Sequence, residues 1–388
     1  MRVFLIILDG VGMGALPDAS RYGDAGANTL LHVAEHAGGL KLPVLEAHGL
    51  GNLLALPGVR PTLAPQGARG RLAEQSAGKD STTGHWELMG VTLDQAFPTY
   101  PDGFPRELLD RWSERVQRGW IGNVASSGTE IIQKLGEAHQ RTGHFIVYTS
   151  ADSVFQVAAH ERTVPIEQLY EACRAAREML TGEHSVGRVI ARPFEGEPGD
   201  YRRTSRRRDF SLEPHVPTVL DRMTGSGQKV VTVGKVDDLF AGRGVTDAIH
   251  TTSNEEGEMV LLDLAKRPGE GLVFANLVDF DTQYGHRNDP AGFARALEKF
   301  DLTLGELRSR LRGDEMIWVT ADHGNDPTTP GTDHSREYTP LLVMGPRVRD
   351  GAELGTRSTF ADVGATLAEL FSVQAPRAGR SFLSELRA

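Results

Sequence analysis

Residues 1–10 read MRVFLIILDG. Positions 3–8 are all apolar, with no polar residue alternating between them, so a strand there must be covered on both faces. That is the pattern of a parallel strand inside an α/β sheet. The run stops at Asp9-Gly10, which leaves a carboxylate just past the strand end. Comparable runs recur at 145–148, 186–190, 229–233, 272–277, 316–320 and 341–344. Between several of them lie amphipathic stretches. In 289–311, Phe293, Leu297, Phe300, Leu304, Leu307 and Leu311 share one helical face. The alternation predicts an α/β fold in which helices flank a core sheet.

At 388 residues the chain exceeds what one hydrophobic core usually serves. Its character changes after Phe97-Pro98, where Tyr100-Pro101-Asp102-Gly103 marks a turn-rich crossing, and changes again around 214–217. The expected organisation is a core in two parts, 1–98 and 216–388, with a smaller α/β cap domain inserted at 99–215. Helices are expected near 106–117 and 166–180, and an arginine-rich segment occupies 201–209.

The composition, 39% hydrophobic and 24% charged, is that of an ordinary globular protein and excludes collagen-like or disordered classes. A net charge of −10 argues against nucleic acid or an anionic membrane as partner, since both reward a basic face. The apolar run at 3–8 is short for a signal peptide and lacks a small-residue cleavage site. No stretch approaches the roughly 20 apolar residues of a membrane-spanning helix. The one cysteine, Cys173, lies at helical spacing with Ile166, Leu169, Tyr170 and Leu180, so it reads as a buried side chain in a reducing compartment. A cytoplasmic monomer is expected.

In open α/β sheets, functional groups gather beyond the carboxyl ends of the strands. Asp9 follows the first run; Asp279, Asp281 and then His286 follow 272–277; Asp322-His323 follows 316–320; His334 lies in the loop before 341–344. Any one of these carboxylates alone reads as a helix cap or turn former. Together, Asp9, Asp281, Asp322, His286, His323 and His334 offer three carboxylates and three imidazoles, a set suited to two divalent ions such as Mn²⁺ or Zn²⁺. Two such ions would make the pocket slightly positive in an acidic chain, and could clamp the attacking and leaving oxygens of a phosphoryl transfer.

The block 78–90, GKDSTTGHWELMG, sets hydroxyls before a helix start, where they can cap the helix or act as a nucleophile. The residues alone do not choose among Ser81, Thr82 and Thr83. Gly84 leaves room for a close phosphate, which favours Thr83. Arg188 and Arg192 are placed to hold a phosphate by bidentate contacts, whereas Arg202, Arg203, Arg206, Arg207 and Arg208 read as a solvated loop. The turn at 148–153 offers groups for a sugar. His32, His36, His48, His160 and His250 read as structural, and Trp86 and Trp318 as core.

These motifs resemble the bacterial phosphopentomutases of the alkaline phosphatase superfamily. The similarity is carried by Leu8-Asp9-Gly10-Val11-Gly12, the block 78–90, the segments 276–281 and 284–287, 321–325 and 332–335, together with Arg192-Pro193-Phe194 and 234–238. The resemblance implies an alkaline-phosphatase-like core with an inserted cap. It implies Asp281, His286 and His334 around one Mn²⁺, and Asp9, Asp322 and His323 around the other. Thr83 would be the phosphorylated residue, charged by a sugar bisphosphate primer. Ser150, Asp152, Arg188 and Lys235 would bind the pentose phosphate, whose phosphate moves between the 1 and 5 positions of ribose or deoxyribose. A cofactor-independent phosphoglycerate mutase would present a serine in a different local motif. A phosphatase would release inorganic phosphate, and a silent metal-binding protein would never be phosphorylated.

Overall fold

The computed structural model describes residues 1–150 and 152–387. Strands β1 (Arg2–Leu8), β2 (Ala68–Leu72), β3 (Trp120–Ala125), β4 (Phe145–Thr149), β5 (Val154–His160), β6 (Arg188–Glu195) and β7 (Arg202–Arg203) come first in chain order. They are followed by β8 (Arg208–Ser211), β9 (Val230–Val233), β10 (Asp247–Ile249), β11 (Gly271–Leu277), β12 (Met316–Thr320), β13 (Thr339–Met344) and β14 (Ala352–Arg357). The chain divides into two compact units, one made of residues 1–95 and 214–388, the other of residues 96–213.

The first unit is built on a sheet of order β10-β9-β11-β1-β12-β13-β2-β14. Every residue of β1 is buried, as an unbroken apolar strand requires. β1 runs parallel to β11 and β12, with Leu8 opposite Leu277 and Ile7 opposite Thr320. That register brings Asp9, the segment after Leu277 and the segment after Thr320 to one edge of the sheet. The run at 341–344 becomes β13, which is antiparallel to β12. A run buried on both faces does not disclose its direction, so the antiparallel pairing was not readable from apolarity. Its effect is to deliver the preceding loop, with His334, to the same sheet edge.

The helix Pro290–Ser309 buries Phe293, Leu297, Phe300, Leu304 and Leu307 against this core, and the Asp289 side chain caps it by accepting from Gly292 N. β2, with sequence ARGRL, escapes a hydrophobic scan because Arg69 and Arg71 interrupt it. Arg69 sits 8% exposed and pairs with Glu353 of β14 at 2.5 Å.

The second unit is a sheet of order β3-β4-β5-β6-β7, with β8 on β6. One side of it packs Phe104, Leu109, Trp112, Phe145, Phe155, Leu169 and Cys173 under the helices Arg106–Val116 and Ile166–Met179. Burial raises the Cys173 thiol, in keeping with an inert core residue. The other side packs Ile131, Ile132, Ile146, Phe194 and Tyr201 with the helix Gly128–Thr142.

Inside this second core, His139 Nδ1 lies 2.6 Å from the His144 carbonyl, and its Nε2 accepts from His160 N at 2.9 Å. Protonating the ring would break the second bond, and burial already lowers its pKa from 6.5 to about 4. A histidine held neutral destabilises the fold at low pH. Stability is full above the unfolded value of 6.5 and falls as pH drops towards 4, by up to about 3 kcal/mol. An NMR titration of the folded chain is expected to find the His139 ring neutral at pH 5.5. A midpoint near 6.5 would refute this.

Candidate functional site

The register of β1, β11 and β12 sets the site. Asp9, Asp281, Asp322, His323 and His334 are all buried at the carboxyl edge of the first unit's sheet, and His286 is half-buried there. Asp281 stands between two histidines, with Oδ2 3.2 Å from His286 Nε2 and Oδ1 3.3 Å from His334 Nε2. His323 Nε2 lies 3.3 Å from Asp9 Oδ1 and 3.4 Å from Asp322 Oδ2. The His323 and His334 rings are 4.1 Å apart, and those of His286 and His334 4.8 Å. All six predicted ligands therefore converge.

Their ligand atoms form two tight triples, Asp281–His286–His334 and Asp9–Asp281–His323. Asp281 thus belongs to both, and Asp322 adjoins the second through His323 rather than forming its tightest contact. The expected three-plus-three division thus has Asp281 as a carboxylate near both halves. Asp322 is drawn instead towards Gly10 N, which donates to its Oδ1 at 3.2 Å, and towards His85 Nδ1, 3.2 Å from its Oδ2.

Neighbouring groups aim the ligands. His286 Nδ1 lies 2.5 Å from the Thr332 carbonyl and His323 Nδ1 3.0 Å from that of Gly324, so in each ring Nε2 faces the cluster. Asn325 Nδ2 donates to Asp281 Oδ1 at 2.7 Å. Such contacts fix ring orientation at metal sites. His85 and Asn325 were not singled out in the sequence; His85 lies within the quoted block, but nothing in its spacing shows that it reaches Asp322. His32 was read as structural, yet its Nδ1 is 2.5 Å from Asp326 Oδ2.

The donor set fits divalent cations. Three carboxylates are crowded in a buried space, and Asp9 Oδ2 and Asp322 Oδ2 are buried without accepting a well-formed hydrogen bond, although Lys235 Nζ is 2.6 Å from the former. Burial opposes the charge of His323, but Asp322, Asp9 and Asp281 together hold its imidazolium up to about 10. Burial likewise opposes ionisation of Asp281, yet His334 and His286 keep it well below the usual carboxylate range. Positive charge is what these oxygens demand, and protons and Lys235 supply it when no cation does.

The helix Ser81–Leu88 starts beside this cluster. Asp80 caps it, accepting from Thr82 N at 2.9 Å and Thr83 N at 3.1 Å. At Gly84 an added Cβ would lie 2.0 Å from the Asp322 carbonyl, so only glycine lets the helix pack this closely on the metal-ligand loop. That approach alone requires glycine at position 84.

The same start separates the two candidate hydroxyls. Thr83 is buried, and its hydroxyl donates to Asp80 Oδ2 at 2.6 Å. Ser81 Oγ instead faces the cluster, 3.5 Å from Asp9 Oδ1 and 3.2 Å from His323 Nε2, and accepts from Lys235 Nζ at 3.0 Å. Of the two, Ser81 is the hydroxyl turned to the cluster, while Thr83, expected as the phosphorylated residue, is turned to Asp80. The helical twist decides this: residues two apart on a helix point to different sides. Lys235 reaches the cluster as expected, and although burial pushes its ammonium pKa down, Asp9, Asp281 and Asp322 hold it up.

Ser150, Asp152 and Arg188 lie in the second unit, at the β4 end and the β6 start. Arg188 Nη2 is 3.5 Å from Asp152 Oδ2, and its Nη1 3.7 Å from Asp209 Oδ2.

Comparison with known proteins agrees with this chemistry. The profile of the Metalloenzyme superfamily matches residues 1–375. A phosphopentomutase from Caldanaerobacter subterraneus subsp. tengcongensis is 55% identical over 385 residues, covering 99% of this chain and 98% of the relative. One from Clostridium novyi is 53% identical over 385 residues, with 99% of each chain covered. Among solved structures, the PH0037 protein from Pyrococcus horikoshii shares the fold at a TM-score of 0.50 and 18% identity, over 95% of this chain and 97% of that one. With its α/β core and its metal-ligand cluster at the sheet edge, the chain belongs to the phosphopentomutase family, within the metalloenzyme (alkaline-phosphatase-like) superfamily.

Proposed function

We propose that the chain interconverts the 1- and 5-phosphates of ribose or deoxyribose, with Ser81 as the group that carries the phosphate between sugars. The observation that carries the reading is the position of Ser81 Oγ, within 3.5 Å of Asp9, His323 and Lys235. The residues proposed to hold two divalent ions, Mn²⁺ by the family resemblance, are Asp281, His286 and His334 for one and Asp9, Asp322 and His323 for the other, with Asp281 close to both. When bound, such ions acidify a coordinated hydroxyl and neutralise charge on a transferring phosphoryl group.

The chain's own residues do the rest. Asp80 holds the helix start and Thr83, so Ser81 is presented in one orientation. Lys235 donates to Ser81 Oγ in the resting enzyme and can shift to a phosphate oxygen when one arrives. For the pentose phosphate we propose Lys235, Ser150, Asp152 and Arg188 as hydrogen-bonding groups. A sugar bisphosphate would first charge Ser81. A mutase cycle then keeps the phosphate on enzyme or sugar, never on water. The proposed setting is the cytoplasm, in nucleoside salvage, as a monomer.

The test incubates Mn²⁺-loaded protein with ribose 5-phosphate and a sugar bisphosphate, then follows ribose 1-phosphate and inorganic phosphate together. The expected result is ribose 1-phosphate formed much faster than inorganic phosphate. Inorganic phosphate as main product would move the protein to the phosphatases. Asp281→Asn, which alters the carboxylate common to both triples, is expected to lower bound metal by elemental analysis; full occupancy would remove Asp281 from the site.

A further inference from the structure

A group of donors in the second unit is unused by the function above. The helix Gly128–Thr142 begins with Ser127, whose side chain accepts from Glu130 N at 3.2 Å. The first backbone N–H groups of a helix have no partner within it and carry the positive end of its dipole. At Gly128 an added Cβ would lie 2.8 Å from the Tyr148 hydroxyl and 3.3 Å from Arg203 Nη1, so both donors sit against the helix's first residue.

Tyr148 is 1% exposed, yet its hydroxyl forms no well-aligned hydrogen bond. A buried hydroxyl left so costs on the order of 1–3 kcal/mol, which a ligand accepting from it would recover. Burial raises its pKa, against Arg192, Arg203 and Arg207, so it remains a protonated donor; Arg192 can donate only weakly to its oxygen, which leaves the hydroxyl proton without an acceptor. Tyr148 stands opposite Gln156 in the β4–β5 ladder, and Gln156 Oε1 accepts from Arg192 Nε at 3.0 Å. The Arg192 guanidinium is thereby held on the same face. Burial, together with repulsion from Arg207 and Arg203, lowers it to about 10.

Asp209 is the carboxylate facing these groups, and it is committed to Arg207 through two contacts of 2.7 Å and shared with Arg188. Arg203 makes no ion pair among the described residues and is exposed, so an anion can reach the group from solvent. Positive charge is therefore in excess here, in a chain whose net charge is −10.

We propose that the N-terminus of the helix Gly128–Thr142, with Tyr148, Arg192 and Arg203, is an anion site for a phosphate dianion, free or carried by an ester. Phosphate suits it because several donors converge from different directions, as a tetrahedral dianion with three or four accepting oxygens requires. Along β6 the backbones of Arg192 and Arg188 stand about 13 Å apart, and Arg188, engaged with Asp152 and Asp209, is not counted in the site. The inference does not depend on the mutase reading, because it uses no residue of the metal cluster.

The test titrates orthophosphate into the full chain stripped of divalent ions by a chelator, followed by calorimetry and ³¹P NMR. Saturable binding is expected, weakened about 10-fold or more in Tyr148→Phe and in Arg203→Gln. Arg203 is exposed, so its replacement should leave the fold intact by circular dichroism. Absence of binding, or binding that survives both substitutions, overturns the proposal. Loss in Lys235→Ala alone also overturns it, by placing the phosphate in the first unit. Competition by ribose 5-phosphate assigns the site to esters, and failure to compete assigns it to the free ion.

Discussion

Replacing Ser81 by alanine is expected to eliminate both phosphorylation of the enzyme and mutase turnover, with a fall in kcat on the order of 10⁴-fold or more, as for loss of any covalent nucleophile. Thr83→Val is the contrasting variant. It removes a hydroxyl that donates to Asp80 at 2.6 Å, so it should loosen the helix cap and lower stability by about 1 kcal/mol while the phosphoenzyme still forms. Mass spectrometry of protein primed with a sugar bisphosphate separates the two: one phosphate is expected on Ser81. Ser81→Ala should keep its metal, since the carboxylates and imidazoles remain. Phosphate found on Thr83, with Ser81→Ala still active, would return the role to Thr83 and show that the helix start rearranges on loading.

The contrast also shows what could be read from the sequence. A strand buried on both faces ends at a polar residue, and the ends of β1, β11 and β12 named Asp9, Asp281, Asp322 and His323 as a group without any coordinates. Parallel pairing makes that inference sound, because strands in register share an edge. The hydroxyl that faces the cluster was harder to name, since three consecutive hydroxyls differ only in helical phase. Asp80, which sets that phase by capping, reads in the sequence as one more turn former. His85 was missed for a related reason: it acquires its neighbours through packing between segments far apart in the chain. Arg203 is exposed, as its run's composition suggests, and β7 also places it beside the start of a helix some 75 positions earlier.

The second large effect concerns stability, and it lies at Arg336, two residues after His334. Its guanidinium is 3% exposed; Nη1 donates to Glu74 Oε2 at 2.8 Å and to the carbonyls of Ser76 at 2.7 Å and Gly78 at 2.6 Å. Nη2 adds the Glu74 carbonyl at 3.0 Å and Asp18 at 3.2 Å. Arg336 thus ties down the strand exit that leads into Asp80 and Ser81. Burial, with the nearby carboxylates of Glu87 and Asp80, holds the Glu74 carboxyl well above its usual range even though Arg336 opposes it. Arg336→Met would leave Glu74 without its charge partner and three carbonyls without a donor. The expected cost is about 3–5 kcal/mol, or a melting temperature lower by roughly 10 °C. Adding Glu74→Gln to the same chain should recover part of the loss, because a buried carboxyl without its partner is then replaced by a neutral amide, and the coupling should reach about 1 kcal/mol or more. Strictly additive losses in the double variant would mean that Arg336 acts through its carbonyl contacts alone. A single variant as stable as the parent would sink the assignment of Arg336 as the anchor of the nucleophile loop.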